Sequence, residues 1–184
     1  MGNGQGAESV AMRFKALPVT GAMEIEVEPE EDARGSFARA FCADEFSAQG
    51  LPDHFVQHSL SFNRHAGTLR GLHYQLQQAE AKIVRCVRGE AFDVIVDLRE
   101  GATYGKWCAV TLSSERRNAV FIPAGCAHGF QSLVDETELL YLIDTPYDAS
   151  AAAGVRWDDP TLAIPWPLAD PILSERDRTL PYLP

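Results

Sequence analysis

An all-β, antiparallel sandwich or barrel with short helices and an irregular C-terminal arm is the architecture that this 184-residue sequence predicts. Three observations lead there. Short apolar runs recur between turn-forming stretches, one of those runs alternates with period two, and no amphipathic run reaches ordinary helix length. A chain of this length suits one domain that buries about 70% of its unfolded surface. The first 12 residues, MGNGQGAESVAM, are polar and Gly-rich without the apolar core of a signal peptide. They read as a loose tail, which leaves residues 13–184 as the single domain.

Taken in order, ADEFSAQG (43–50) predicts one short helix. Residues 92–98 set Phe92, Val94, Val96 and Leu98 against Asp93, Ile95, Asp97 and Arg99, a strand pattern. IVRCVR (83–88) leads into it through Gly89, so the two read as a hairpin. Further strands are expected at 107–112, 119–122, 130–134 and 139–143, separated by EGATYG, SSERRN, PAGCAHG and VDETE. The last 40 residues hold seven of the 11 prolines, which predicts extended chain and turns wrapping the surface.

The charge balance is 16 basic against 26 acidic side chains, a net −10. That argues against a general nucleic-acid binder, which needs a basic face for phosphates. A small anionic ligand held by a few Arg and Lys remains compatible. No run approaches the ~20 apolar residues that span a bilayer, so no membrane partner is expected. Cys42, Cys86, Cys108 and Cys126 are scattered without a CxxC and read as free, mostly buried thiols in a reducing cytoplasm.

Two of the five histidines lie in suggestive contexts. His73 sits in TLRGLHYQ (68–75), where Arg70 is three residues away and would face the opposite side of a regular strand. A turn at Gly71 could bring the two together. His128 sits in PAGCAHG (123–129), a turn that opens into a strand. By itself, a histidine in a β-protein is more often a hydrogen-bonded structural residue than a catalyst. His73, His128 and Glu80 form the one obvious metal set, but the second neighbour of His73 is Gln75, so H-x-H spacing is missing and no metal is expected. Acid–base chemistry without metal needs a base, an acid on the opposite side and a cation for an enolate. His73, Tyr141 and Lys82 are available for those roles, although spacing alone does not bring them together.

The runs TLRGLHYQ (68–75), KIVRCVRGEAFDVIVDLREG (82–101), TYGKW (103–107), FIPAGCAHGF (121–130), VRWDDPTLAIPWP (155–167) and ILSERD (172–177) resemble the dTDP-4-dehydrorhamnose 3,5-epimerase family. DARGSFARAF (32–41) and HFVQHSLSFN (54–63) do so as well, and the likeness covers roughly residues 13–180 in order. The resemblance implies a cupin-type jelly roll that acts as a homodimer without cofactor or metal. PAGCAH matches the second cupin motif, P-x-G-x-x-H. It implies inversion of C3 and C5 in a nucleotide-diphosphate 4-keto-6-deoxyhexose during deoxysugar biosynthesis. Carried onto this chain, His73 matches the general base and Asp177 its orienting carboxylate. Lys82 matches the lysine near the O4 enolate, and Tyr141 the proton donor. Arg34, Gln57, Ser59, Arg70, His128 and Arg176 match positions that bind the nucleotide diphosphate or sugar. The pattern departs at Arg39, where the family has Glu, at Ser59 for Asn, at Ala151–Ala153 for an acidic residue, and at Arg176 for Lys. A single-centre epimerase, a keto-isomerase and a non-catalytic sugar-nucleotide-binding cupin are the alternatives.

Overall fold

The computed structural model describes residues 11–183, so the tail expected over residues 1–10 lies outside the described residues. The elements in chain order are β1 (Met12–Ala16), β2 (Met23–Val27), β3 (Glu30–Asp32), β4 (Gly35–Phe37), α1 (Ala43–Ala48), β5 (Gln57–Asn63), β6 (Leu69–Gln75) and β7 (Lys82–Arg88). They continue with β8 (Glu90–Asp97), β9 (Trp107–Ser113), β10 (Ala119–Ile122), β11 (Cys126–Ser132), β12 (Thr137–Ile143), β13 (Ala152–Gly154) and α2 (Glu175–Arg178). Met12, assigned by composition to the tail, is a buried residue of β1.

One sheet runs β1-β2-β10-β7-β12-β5 and the other β13-β6-β11-β8-β9, with antiparallel pairing throughout both. β3 and β4 form a separate small hairpin. The two larger sheets make the jelly roll, and the core between them joins Val84, Cys86, Ile95, Val120, Ile122, Phe130 and Leu139.

The expected hairpin of β7 and β8 does not form. The two strands belong to different sheets, and Gly89 is the corner between them. Its φ is +76°, a value ordinary only for glycine, and an added Cβ would meet Thr137 Oγ1 at 2.6 Å. Turning there sends the chain across the roll, and β7 pairs with β10 and β12 instead. A second difference is at 126–132. The strand begins at Cys126, so His128 lies within it and not in a turn.

The alternation of residues 92–98 is real, and both of its faces are buried. Ala91 and Ile95 enter the core between the sheets. Val94 and Val96, with Phe92 and Leu98 beside them, meet Val155, Leu162, Ile164 and Trp166 of the C-terminal arm. The Pro-rich arm therefore covers the outer face of the five-stranded sheet. α1 lies against the outer face of the other sheet through fully buried Phe46, whose ring meets Phe14, Phe41 and Phe55. Burying one such ring contributes about 1.5–3 kcal/mol. All four cysteines are free; three are buried, and burial pushes the Cys86 thiol up to about 11 and Cys126 to about 12.

Candidate active site

A cavity of about 440 Å³ opens between the two sheets. Gln57, Ser59, Lys82 and Tyr141 line it from the six-stranded sheet, and Arg70, His73 and His128 from the five-stranded sheet. Arg176 and Asp177 reach it from α2. Nine of the ten residues singled out from the sequence thus share one wall or another of a single cavity.

Arg70 and His73 share that cavity because β6 is irregular. His73 is opposite His128 while Arg70 is opposite Phe130, so β6 holds one residue more than β11 across this interval. Such a bulge exchanges the faces of the residues on either side of it. Gly71 makes it possible: its φ is +121°, and a Cβ there would lie 2.5 Å from Gly129 Cα. Arg70 is then held by Asn63 Oδ1, which accepts from Nε at 2.8 Å.

His73 Nε2 is 2.6 Å from Asp177 Oδ1. The four-residue α2 sets that carboxylate, since the N-cap Ser174 hydroxyl accepts from the Asp177 amide at 3.1 Å. Burial raises the Asp177 carboxyl, but hydrogen bonds from His73, Gly71 and Ser174 and the charge of His73 outweigh it and hold it below its ordinary value. An ionised Asp177 accepts a hydrogen bond from Nε2–H and fixes the ring, which leaves Nδ1 with the free lone pair. The His73 side chain is 40% exposed, so that ring is open to a ligand.

Tyr141 stands on the opposite wall. Its ring packs against the core and meets the His128 ring edge-on at 5.8 Å, and its hydroxyl has no protein hydrogen bond among the described residues. Burial, reinforced by the charge of Asp93 and only partly countered by Arg70, pushes its phenol well above its ordinary value. The hydroxyl is thus held in its protonated form, the form a proton donor needs.

Lys82 is almost fully buried, and its Nζ is 2.5 Å from Glu80 Oε1. His128 Nε2 is 2.8 Å from Asp93 Oδ2, while Asp93 Oδ1 has no partner. Burial pushes the Asp93 carboxyl up despite the opposing influence of His128 and Lys82. The three residues of the imagined metal set each have a protein partner: Asp177 for His73, Asp93 for His128, and Gln75 and Lys82 for Glu80.

Arg34 is the exception among the expected ligands. It lies on the β3–β4 hairpin, away from the cavity of its own chain, with its side chain 90% exposed and its guanidinium bound to Asp32. That hairpin belongs to neither of the sheets that enclose the cavity. Arg39 is also outside the cavity, paired with Glu45 of α1 at 2.8 Å. Glu80 and Tyr147 are among the lining residues that the sequence did not mark as parts of this chemistry. Glu80 was read only as a metal ligand, and Tyr147 gave no signal at all; the Tyr147 amide donates to Gln57 Oε1 at 3.1 Å.

The sequence profile described as dTDP-4-dehydrorhamnose 3,5-epimerase matches residues 16–184. A dTDP-4-dehydrorhamnose 3,5-epimerase of Methanothermobacter thermautotrophicus is 45% identical over 170 residues, covering 90% of this chain and 91% of the relative. A dTDP-4-dehydrorhamnose 3-epimerase of Streptomyces niveus is 42% identical, covering 91% of this chain and 82% of its own length. The crystal structure of a Bacillus anthracis dTDP-4-dehydrorhamnose 3,5-epimerase with TDP and PPi bound superposes with a TM-score of 0.91 at 38% identity, covering 94% of this chain and all of that one. The roll described above is accordingly of the cupin type.

Proposed function

The chain belongs to the dTDP-4-dehydrorhamnose 3,5-epimerase family, and from that premise we propose that its cavity inverts C3 and C5 of a dTDP-4-dehydro-6-deoxyglucose-type nucleotide sugar by acid–base enolisation. The observation that carries this reading is the placing of His73 and Tyr141 on opposite walls of one cavity, with Lys82 beside them. Inversion needs a proton removed from one face of a carbon and another delivered to the opposite face. A binding protein has no need of that arrangement.

C3 and C5 both flank the C4 ketone, so loss of either proton places negative charge on O4. His73, oriented by Asp177, takes the proton at Nδ1, and the buried Lys82 ammonium holds the developing O4 charge. Tyr141 then delivers its hydroxyl proton from the other side. Arg70 and Arg176 supply cations for the diphosphate, with Gln57, Ser59 and His128 as further donors or acceptors to the ligand. Tyr147, half exposed at the same cavity, offers a face for the base. A single-centre reaction is the second reading, favoured by the likeness to the Streptomyces niveus 3-epimerase. The same groups would serve it and would reach one carbon only.

No cofactor is assigned to this chemistry. Protein dialysed against EDTA should turn over dTDP-4-keto-6-deoxyglucose as fast as untreated protein. Turnover that disappears and returns with a divalent cation would contradict the metal-free mechanism.

The assembly is proposed to be a homodimer. Leu60 and Phe62 of edge strand β5 and Val87 of β7 are exposed apolar residues on the outer side of the six-stranded sheet. Phe37 on the hairpin is 70% exposed. Covering these with a second copy removes apolar area from water and offers Arg34 a cavity other than its own. Sedimentation should give twice the 20.2 kDa chain mass, and a monomer at micromolar concentration would overturn this assembly. The substrate class and the free thiols support a cytoplasmic location as part of this proposal.

A further inference from the structure

We propose that Glu80 is the positioning residue for Lys82, fixing the ammonium that holds the O4 enolate; this rests on the role given to Lys82 above. Lysine carries a compact charge on a stem with four rotatable carbons, so by itself it defines a charge but not a place. Stabilising a developing oxyanion depends on a charge already in place before the reaction. Something must therefore hold Nζ.

Glu80 is two residues before Lys82, and its Oε1 lies 2.5 Å from Nζ. The two side chains are 11% and 6% exposed, and among the described residues no other carboxylate forms an ion pair with Lys82. The carboxylate is itself fixed at its other oxygen, where Oε2 accepts from Gln75 Nε2 at 2.8 Å. Gln75 is buried at the end of β6, and its Oε1 accepts from the Asp148 amide at 2.8 Å. The chain of contacts from the Asp148 backbone through Gln75 and Glu80 ends on the ammonium. Each link is a hydrogen bond whose donor and acceptor are defined, so the side-chain amide of Gln75 can adopt only one orientation. Asp93 lies close enough to feel the Lys82 charge, but it is hydrogen-bonded to His128 and not to Nζ.

The competing view is that Glu80 merely staples residues 76–81 to the roll, a role that would alter stability and not the chemical step. Glu80→Gln separates the two. It retains an oxygen facing Nζ, removes the negative charge, and sets an amide NH₂ against the NH₂ of Gln75. With dTDP-4-keto-6-deoxyglucose as substrate, Glu80→Gln should lower kcat by about 10- to 100-fold and leave KM within about twofold, the signature of an interaction lost in the transition state. In a Lys82→Met background the same change should cost nothing further, because a group that acts through Lys82 has nothing left to act on. Titration with dTDP counts the folded sites, and Glu80→Ala repeats the test should the glutamine variant fold poorly. An unchanged kcat per folded site would overturn the proposal, as would an equal loss in the wild-type and Lys82→Met backgrounds, which would mean that Glu80 acts on substrate directly. A wild-type protein that binds dTDP but neither exchanges nor epimerises the sugar would instead overturn the function itself, and the positioning role with it.

Discussion

Replacing His73 by Asn is expected to leave the roll folded and to lower turnover by about 10²–10⁴-fold, roughly 3–5 kcal/mol of transition-state stabilisation. The fold should survive because the ring is 40% exposed to the cavity and belongs to none of the apolar clusters. Turnover should not survive, because the other histidine among the described residues lining the cavity, His128, is buried and bound to Asp93. Asp177→Asn should act in the same direction and more mildly, since the ring would remain in place while losing the carboxylate that holds its proton on Nε2. The measurements are a thermal melt and steady-state turnover on the same preparations. If His73→Asn retains most of its activity, the base has been assigned wrongly. A histidine that serves only structure would show the reverse pattern, with lost stability and full turnover per folded molecule.

Tyr141→Phe should separate two processes that occur together in the native protein. With the donor hydroxyl gone, His73 can still abstract a proton and return an exchanged one to the same face. Solvent deuterium should therefore continue to enter the substrate, while net inversion falls by about 10²-fold or more, the lower range for loss of one proton-transfer group. Among the described residues the hydroxyl makes no hydrogen bond to the protein, and the ring contact with His128 is kept, so stability should change little. The raised phenol strengthens this expectation, because it keeps the proton on Tyr141 until an enolate is there to take it. Equal loss of exchange and inversion in well-folded protein would refute the donor role and point to substrate positioning.

The legible part of the fold was the part where side-chain period and burial agree. Residues 92–98 read as a strand because Phe92, Val94, Val96 and Leu98 alternate with Asp93, Ile95 and Asp97; the first face is covered by the arm, and the second, buried despite its two carboxylates, faces the opposite sheet. β5 was silent for the opposite reason: Gln57, Ser59 and Ser61 face the cavity while Leu60 and Phe62 face outward, so polarity is inverted relative to an ordinary half-buried strand. β6 carried no clean period because its bulge shifts the alternation at Gly71. Gly89 signalled a reversal correctly, but a glycine corner between sheets and a glycine hairpin look alike in one dimension. At the site, nine residues found through motif resemblance converge on one cavity, yet spacing alone could not have joined His73 to Asp177, which lies 104 residues away. Arg34 missed its own cavity because a hairpin's direction is not written in its local sequence. Glu80 was visible only as a carboxylate near two histidines, and its attachment to Lys82 needed the fold.

The most direct test is proton NMR of the wild-type protein in D₂O with dTDP-4-keto-6-deoxyglucose, following C3 and C5 separately. Opposed acid and base around an O4-holding cation predict that solvent deuterium enters both carbons and that product inverted at both accumulates. Label at one carbon alone would replace double with single inversion and keep the mechanism. A protein that binds dTDP and labels neither carbon would contradict enolisation in this cavity.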